Sequence, residues 1–359
     1  MTSTVRDLLL DRLQTGSTPG DRTDNNHVVL AVEGGGMRGA ISSGMLLALE
    51  QLGLRNSFDE VVGTSAGAIS GAFFVAGRGT SGSALYYTVL NSPRFVDRRR
   101  LIRSGSVMDL DYLIDEAFEH TGFTWTELVN SDIPLWATVT PASANNTIRL
   151  VRVDEDEDHA RHVLAATANL PVLAGGSRAI GEHHYVDGGL LEAVPWNSAI
   201  KRGATHILVV RSRHFNDNGD PEDPNLFERA AVPRVVRRMH GDHVADLVNQ
   251  GSERFWIVTE SLRAIVEGRA SPIGTEGHEP VIEAVLPPIE ASLPDRLEVD
   301  TSVLMDALTV GAKSMVDYLD LEGFTVEQRV VVNHPRAPVG TVRTNALVPI
   351  VRTRRNESR

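Results

Sequence analysis

Two short stretches hold residue types and spacings that could carry out nucleophilic acyl transfer. Gly63-Thr64-Ser65-Ala66-Gly67 fits G-x-S-x-G, the spacing of a nucleophile elbow. Glycine on both sides lets a strand turn sharply into a helix, with the serine hydroxyl held outward at the helix N-terminus. The ordinary alternative for such a run is a tight turn in an α/β sheet. A nucleophilic serine also needs donors for a developing oxyanion. Gly34-Gly35-Gly36-Met37-Arg38-Gly39 can supply them, because successive glycines let backbone N–H groups converge on an anion at the start of a helix. The same geometry could cradle a phosphate. Gly34, Gly36 and Gly39 also satisfy the looser G-x-G-x-x-G pattern of dinucleotide sites, but the run G-G-G-x-R-G fits that use less well. Arg38 adds a fixed positive charge suited to a phosphate or an oxyanion.

The base is what separates one mechanism from another. A Ser–Asp–His esterase places its histidine last in the chain. His334, in Val332-Asn333-His334-Pro335, is the late histidine in a plausible strand-end position. The competing base is Asp187, in Asp187-Gly188-Gly189 just after an expected strand. A carboxylate held in a glycine turn can take the serine proton directly if it lies close enough. On its own, D-G-G is more commonly an ordinary turn.

These residues require elements to position them. His27 to Val32 reads as a buried strand, the glycine run as a loop, and Ala40 to Leu52 as a helix. Phe58 to Val62, the elbow, and the small-residue helix Ala68 to Ala76 repeat that order. Two strand–turn–helix units in succession predict a mostly parallel sheet covered by helices, with both loops at strand C-terminal ends. Leu135 to Thr140, Ile148 to Val153, His206 to Arg211 and Val281 to Leu286 read as further strands. Residues 80–130 read as helical and polar, and 225–267 as mostly helical. Leu304, Leu308, Met315 and Leu319 mark one face of a late helix. The expected organisation is a polar lead-in over 1–26 with a short amphipathic helix, one α/β hydrolase domain over 27–325, and a C-terminal extension over 326–359 ending in a loosely held tail.

G-G-G-x-R-G, G-T-S-A-G and D-G-G, in that order, resemble the motifs of the patatin-like phospholipase family. Ala165-Ala-Thr-Ala-Asn-Leu-Pro171 and Tyr185-Val-Asp-Gly-Gly-Leu-Leu-Glu-Ala-Val-Pro195 resemble its stretches before and around the aspartate. Glu33 stands where many members have aspartate, which resembles a bacterial branch of the family. The resemblance implies a three-layer α/β/α fold and a Ser65–Asp187 dyad, with Ser65 as nucleophile and Asp187 as general base. It further implies an oxyanion hole from the N–H groups of Gly35, Gly36 and Met37, with Arg38 supporting the loop or its charge. Gly34, Gly39, Gly63, Gly67, Gly188 and Gly189 are the motif glycines. The implied reaction is acyl-ester hydrolysis through an acyl-serine, without metal or other cofactor, on phospholipids, lysophospholipids or neutral acyl lipids. Two alternatives remain: a Ser–Asp–His esterase or thioesterase using His334, and a non-catalytic protein that binds an acyl lipid for regulation.

Composition narrows the field. The 359 residues are 42% hydrophobic and 23% charged, close to the globular average. Asp and Glu number 47 against 35 Lys and Arg, for a net charge of −12, which argues against a nucleic-acid partner. With no cysteine, disulfides, thiolate catalysis and thiolate metal sites are excluded. The start has no signal-peptide pattern and no apolar run is long enough to span a bilayer, so the expected location is cytoplasmic, peripheral to membrane at most. Arg94, Arg98, Arg99, Arg100 and Arg103 would suit transient contact with anionic headgroups, though a solvated helix face is the commoner origin of such a cluster. Asp154 to Asp158 reads as a solvated loop rather than a calcium site, and His183-His184 as structural. Phe73 and Phe74 read as core. Nothing in the chain predicts an oligomeric state.

Overall fold

The computed structural model describes residues 3–100, 106–143, 146–171, 173–216, 226–274, 279–321, 323–331 and 346–353. Val28–Val32 (β1) shows no apolar–polar alternation, as a strand covered on both faces should, and all five residues are buried. With it run β2 (Glu60–Thr64), β3 (Leu135–Pro141), β4 (Arg149–Arg152), β5 (Arg178–Ile180), β6 (His183–Asp187), β7 (His206–Val210) and β8 (Val281–Val285). Among the described residues these form one sheet in the order β5-β6-β3-β2-β1-β7-β8, with β4 also paired to β3. The five strands from β3 to β8 along that order are mutually parallel; β6 and β4 run antiparallel to β3, and β5 antiparallel to β6.

Alternate residues of β1 serve two cores, as the two-residue period of a strand requires. Val28, Leu30 and Val32 join the larger core. It includes α1 (Val5–Thr15), α2 (Gly39–Gln51), α3 (Ala66–Val75), α4 (Gly79–Thr88) and α5 (Glu157–Thr167). Val29 and Ala31 face the opposite layer, where α6 (Trp196–Lys201) contributes Trp196, Ala199 and Ile200. Helix α8 (Gly251–Val266) adds Leu262 to them; α7 (Leu226–Asn249) precedes that helix. The result is the mostly parallel sheet covered by helices that the two strand–turn–helix units predict, in the three-layer arrangement that the family resemblance implies.

The last long helix, α9 (Thr301–Leu319), crosses α2 with backbone touching backbone. A Cβ at Gly44 would lie 2.1 Å from the Leu308 carbonyl oxygen, and one at Gly311 1.9 Å from that of Ile41. No larger side chain fits at either crossing point, so α9 and the segment before it are drawn against the helix that follows the glycine loop.

Three segments differ from their sequence reading. The polar start carries the expected helix, but its Val5, Leu8 and Leu9 lie in the main core, so the segment is part of the domain's packing rather than a lead-in. Arg12 there is fully buried and uses all five guanidinium donors, on Asp24, Asp59 and the carbonyls of Ser57 and Asn26. The Arg12 hydrogen bond holds the Asp24 carboxyl down to about 2. Within 80–130, Phe118, Phe123 and Trp125 pack with Phe73 in a buried aromatic cluster, a core without helical periodicity. The final residues are not only a tail: β9 (Phe324–Val331) and β10 (Ala346–Thr353) form an antiparallel ribbon. Gln51 on α2 fastens it, donating to the Pro349 carbonyl and accepting the Val351 N–H.

Candidate active site

Ser65 stands between β2 and α3 with φ 54° and ψ −126°, a left-handed backbone that a non-glycine residue adopts at some cost. Dense packing around the turn holds it there. A Cβ at Gly63 would lie 2.5 Å from the Ala68 Cα, and one at Gly67 2.3 Å from the Val32 carbonyl oxygen. Helix α3 can therefore start directly against β1 and β2 only with glycine at both places. The Ser65 N–H donates to Thr167 Oγ1 at 2.9 Å, and the Thr167 hydroxyl in turn donates to the Thr138 carbonyl at 2.7 Å. Thr167 belongs to the small-residue stretch before Pro171, and its role was not visible from its residue type.

Asp187 reaches the same place from the other direction. Thr64 pairs with Thr138 across parallel strands, and Val139 pairs with Asp187 across antiparallel ones. Strand β6 thus runs inward from the edge that carries the loops and ends beside Ser65. The Asp187 N–H donates to the Asn169 carbonyl at 3.0 Å, and its own carbonyl accepts from Thr140 Oγ1 at 2.9 Å. Its carboxylate accepts the Gly189 N–H at 2.7 Å and faces the Ser65 hydroxyl. Only 3% of Asp187 is exposed. Burial pushes its carboxyl up to about 6, against the opposing pull of the Ser65 hydroxyl, the Gly189 N–H and the Arg296 charge. Gly188 lies close to β3, where a Cβ would meet Thr138 Oγ1 at 2.2 Å.

The glycine run closes the third side. A Cβ at Gly34 would sit 3.1 Å from the Ser65 Cβ, and one at Gly39 2.9 Å from that of Ala66. Among the described residues, the N–H groups of Gly35, Gly36 and Ala66 meet no acceptor. Met37 is different. Its N–H donates to the Arg296 carbonyl at 3.1 Å, so it does not offer the free donor expected of it, and the Arg38 N–H turns back to the Gly35 carbonyl at 3.3 Å. The Arg38 side chain lies against Gly35. Gly36 has φ +59°, and a Cβ there would come within 2.7 Å of the Arg296 carbonyl oxygen. Below the loop, Glu33 is fully buried. It accepts the Ser212 N–H at 2.7 Å and pairs with Arg211 at 3.4 Å and Arg213 at 3.7 Å, while Ser212 Oγ donates to the Gly34 carbonyl.

The patatin-like phospholipase family pattern matches residues 30–200, the span that carries all three motifs. Residues 30–200 are a patatin-like phospholipase domain. The chain is 25% identical over 197 residues to the Escherichia coli (strain K12) protein named "Uncharacterized protein YjjU", a match covering 52% of each chain. It is 27% identical over 198 residues to patatin-like phospholipase domain-containing protein 7 of Mus musculus. It is 26% identical over 210 residues to neuropathy target esterase sws of Drosophila melanogaster. The matched part spans 13% of each of these two animal proteins.

Around the patatin-like domain, the other singled-out residues fall into place. Arg94 and Arg98 lie on turns, and Arg94, Arg98 and Arg100 pair with Glu116, Asp295 and Asp109. Arg103 and His334 lie outside the described residues. Asp154 departs from the solvated-loop reading: it is buried and accepts the Leu135 N–H at 3.0 Å and Arg152 at 2.8 Å. Asp156 caps α5 through the His159 N–H. His183 and His184 are exposed on β6, whereas Phe73 and Phe74 are buried. Among the described residues no group of three or more His, Cys, Asp or Glu could hold a metal ion. No helix among them is long and apolar enough to cross a membrane.

Proposed function

We propose that this chain is a lipid acyl hydrolase that cleaves acyl esters through an acyl-serine on Ser65, with Asp187 as general base. One observation carries the reading: a serine on a left-handed elbow faces a buried carboxylate, with free backbone donors of a glycine loop beside it. In this mechanism the ionised Asp187 takes the Ser65 proton as the hydroxyl oxygen attacks the ester carbonyl. Gly35 and Gly36 donate to the oxyanion, and Ala66 at the start of α3 is placed to add a third donor. Asp187 then gives the proton to the departing alcohol. Water repeats the sequence on the acyl-serine, releasing a fatty acid. A carboxyl near 6 suits this role, since a base works best when its pKa lies close to the working pH. The substrate would be drawn from a membrane or micelle surface in transient contact.

The test is fatty-acid release from a lipid extract, read by mass spectrometry, together with labelling by a fluorophosphonate probe. Ser65→Ala and Asp187→Asn should each lose roughly a thousandfold in turnover, and the probe should label Ser65. His334→Ala should keep most activity. An inactive His334→Ala beside an active Asp187→Asn would replace this mechanism with a Ser–Asp–His one. Intact lipid binding without labelling or release would leave a binding protein.

A further inference from the structure

We propose that Arg296 binds the phosphate of a phospholipid or lysophospholipid at the Ser65 site and so sets a preference for phospholipids over neutral acyl esters, an inference that rests on the hydrolase reading above. Arg296 lies between β8 and α9, far from every motif in sequence. Its carbonyl accepts the Met37 N–H, and that oxygen closes on Gly36, so its backbone is clamped to the glycine loop. The side chain is exposed, and its charge acts on the Asp187 carboxylate. No described residue hydrogen-bonds or ion-pairs with its guanidinium. Neighbouring arginines differ: Arg94, Arg98 and Arg100 each meet a carboxylate. Asp295, the adjacent acid, is engaged by Arg98 at 3.6 Å.

A guanidinium offers planar paired donors that match phosphate oxygens, and it stays charged at any working pH. In a glycerophospholipid the phosphate is one glycerol backbone away from the scissile ester. A cation beside the dyad can therefore hold the headgroup while Ser65 meets the ester carbonyl. It would also offset the repulsion that a chain of net charge −12 exerts on an anionic group. A neutral acylglycerol has no group for this cation to hold.

The substitutions Arg296→Gln and Arg296→Lys leave the main-chain clamp on Met37 in place. The full chain is assayed at pH 8, where Asp187 is ionised, on lysophosphatidylcholine and on monoacylglycerol of the same acyl length in mixed micelles. Arg296→Gln should lower the ratio of kcat/KM for the phospholipid to that for the neutral lipid about tenfold or more, chiefly through KM, with part of the ratio kept by Arg296→Lys. An equal fall on both lipids would mean that Arg296 acts on the loop or on Asp187, and would overturn the proposal. So would an unchanged ratio. A second measurement does not depend on turnover: Ser65→Ala should bind glycerophosphocholine about tenfold tighter in calorimetry than Ser65→Ala/Arg296→Gln. Equal binding overturns the proposal. Wild-type protein that cleaves neither lipid but shows the binding difference would sink the hydrolase reading and leave the phosphate site standing.

Discussion

Replacing Asp187 by asparagine should abolish activity and at the same time make the protein more stable at neutral pH. Burial raises this carboxyl from an ordinary 3.8 to about 6, so the folded protein holds the proton more tightly than the unfolded chain does. Ionising Asp187 therefore costs native stability. The cost is absent below about pH 3.8, grows between there and about pH 6, and is complete above it. Its full size is about 3 kcal/mol, from 1.36 kcal/mol for each pKa unit between 3.8 and about 6. Asparagine keeps an oxygen for the Gly189 N–H and carries no charge, so Asp187→Asn should recover up to that amount at pH 8 and almost none at pH 4. Urea unfolding of both proteins across pH 4–8 measures the difference directly. A variant less stable than wild type at pH 8, or a difference that does not change with pH, would refute the reasoning. The same carboxyl should give kcat/KM an acid limb near pH 6, falling about tenfold per pH unit below it. A histidine base would titrate at about 6.5, close enough that the limb alone does not separate the mechanisms, whereas the activities of Asp187→Asn and His334→Ala do.

Two further outcomes follow from the packing. Gly36→Ala places a side chain at φ +59° with the Arg296 carbonyl 2.7 Å away, so it should displace a donor of the proposed oxyanion hole. Ester turnover should fall on the order of a hundredfold in protein whose circular dichroism stays native, and near-normal turnover would place the hole elsewhere. Arg12→Ala removes the arginine partner of Asp24 and one of the two of Asp59, which keeps Arg22, and leaves the Ser57 and Asn26 carbonyls without their donor. A loss of about 3–5 kcal/mol in urea unfolding is expected. A loss under 1 kcal/mol would mean that α1 adds little to the fold.

Much of the candidate site was legible in the sequence because its constraints are local. A serine between glycines, after a β-branched pair and before small residues, can hardly avoid a sharp strand-to-helix turn, and β1 announces itself by an apolar run too continuous for one exposed face. Parallel pairing then carries the glycine loop and Ser65 to one edge of the sheet, since both follow adjacent parallel strands. What remained hidden depends on pairings between distant residues. Nothing in D-G-G tells that β6 runs antiparallel and delivers Asp187 inward to Ser65, because strand direction is set by which neighbour the strand finds. Thr167 looks like any helix threonine until its hydroxyl meets the Ser65 N–H. Met37 reads as an oxyanion donor until the Arg296 carbonyl, brought in by the close crossing of α2 and α9, takes its N–H. The pKa of Asp187 was likewise beyond the motif: residue type sets its ordinary value, but only the tertiary fold removes water from around it, and desolvation is the largest influence on where it titrates.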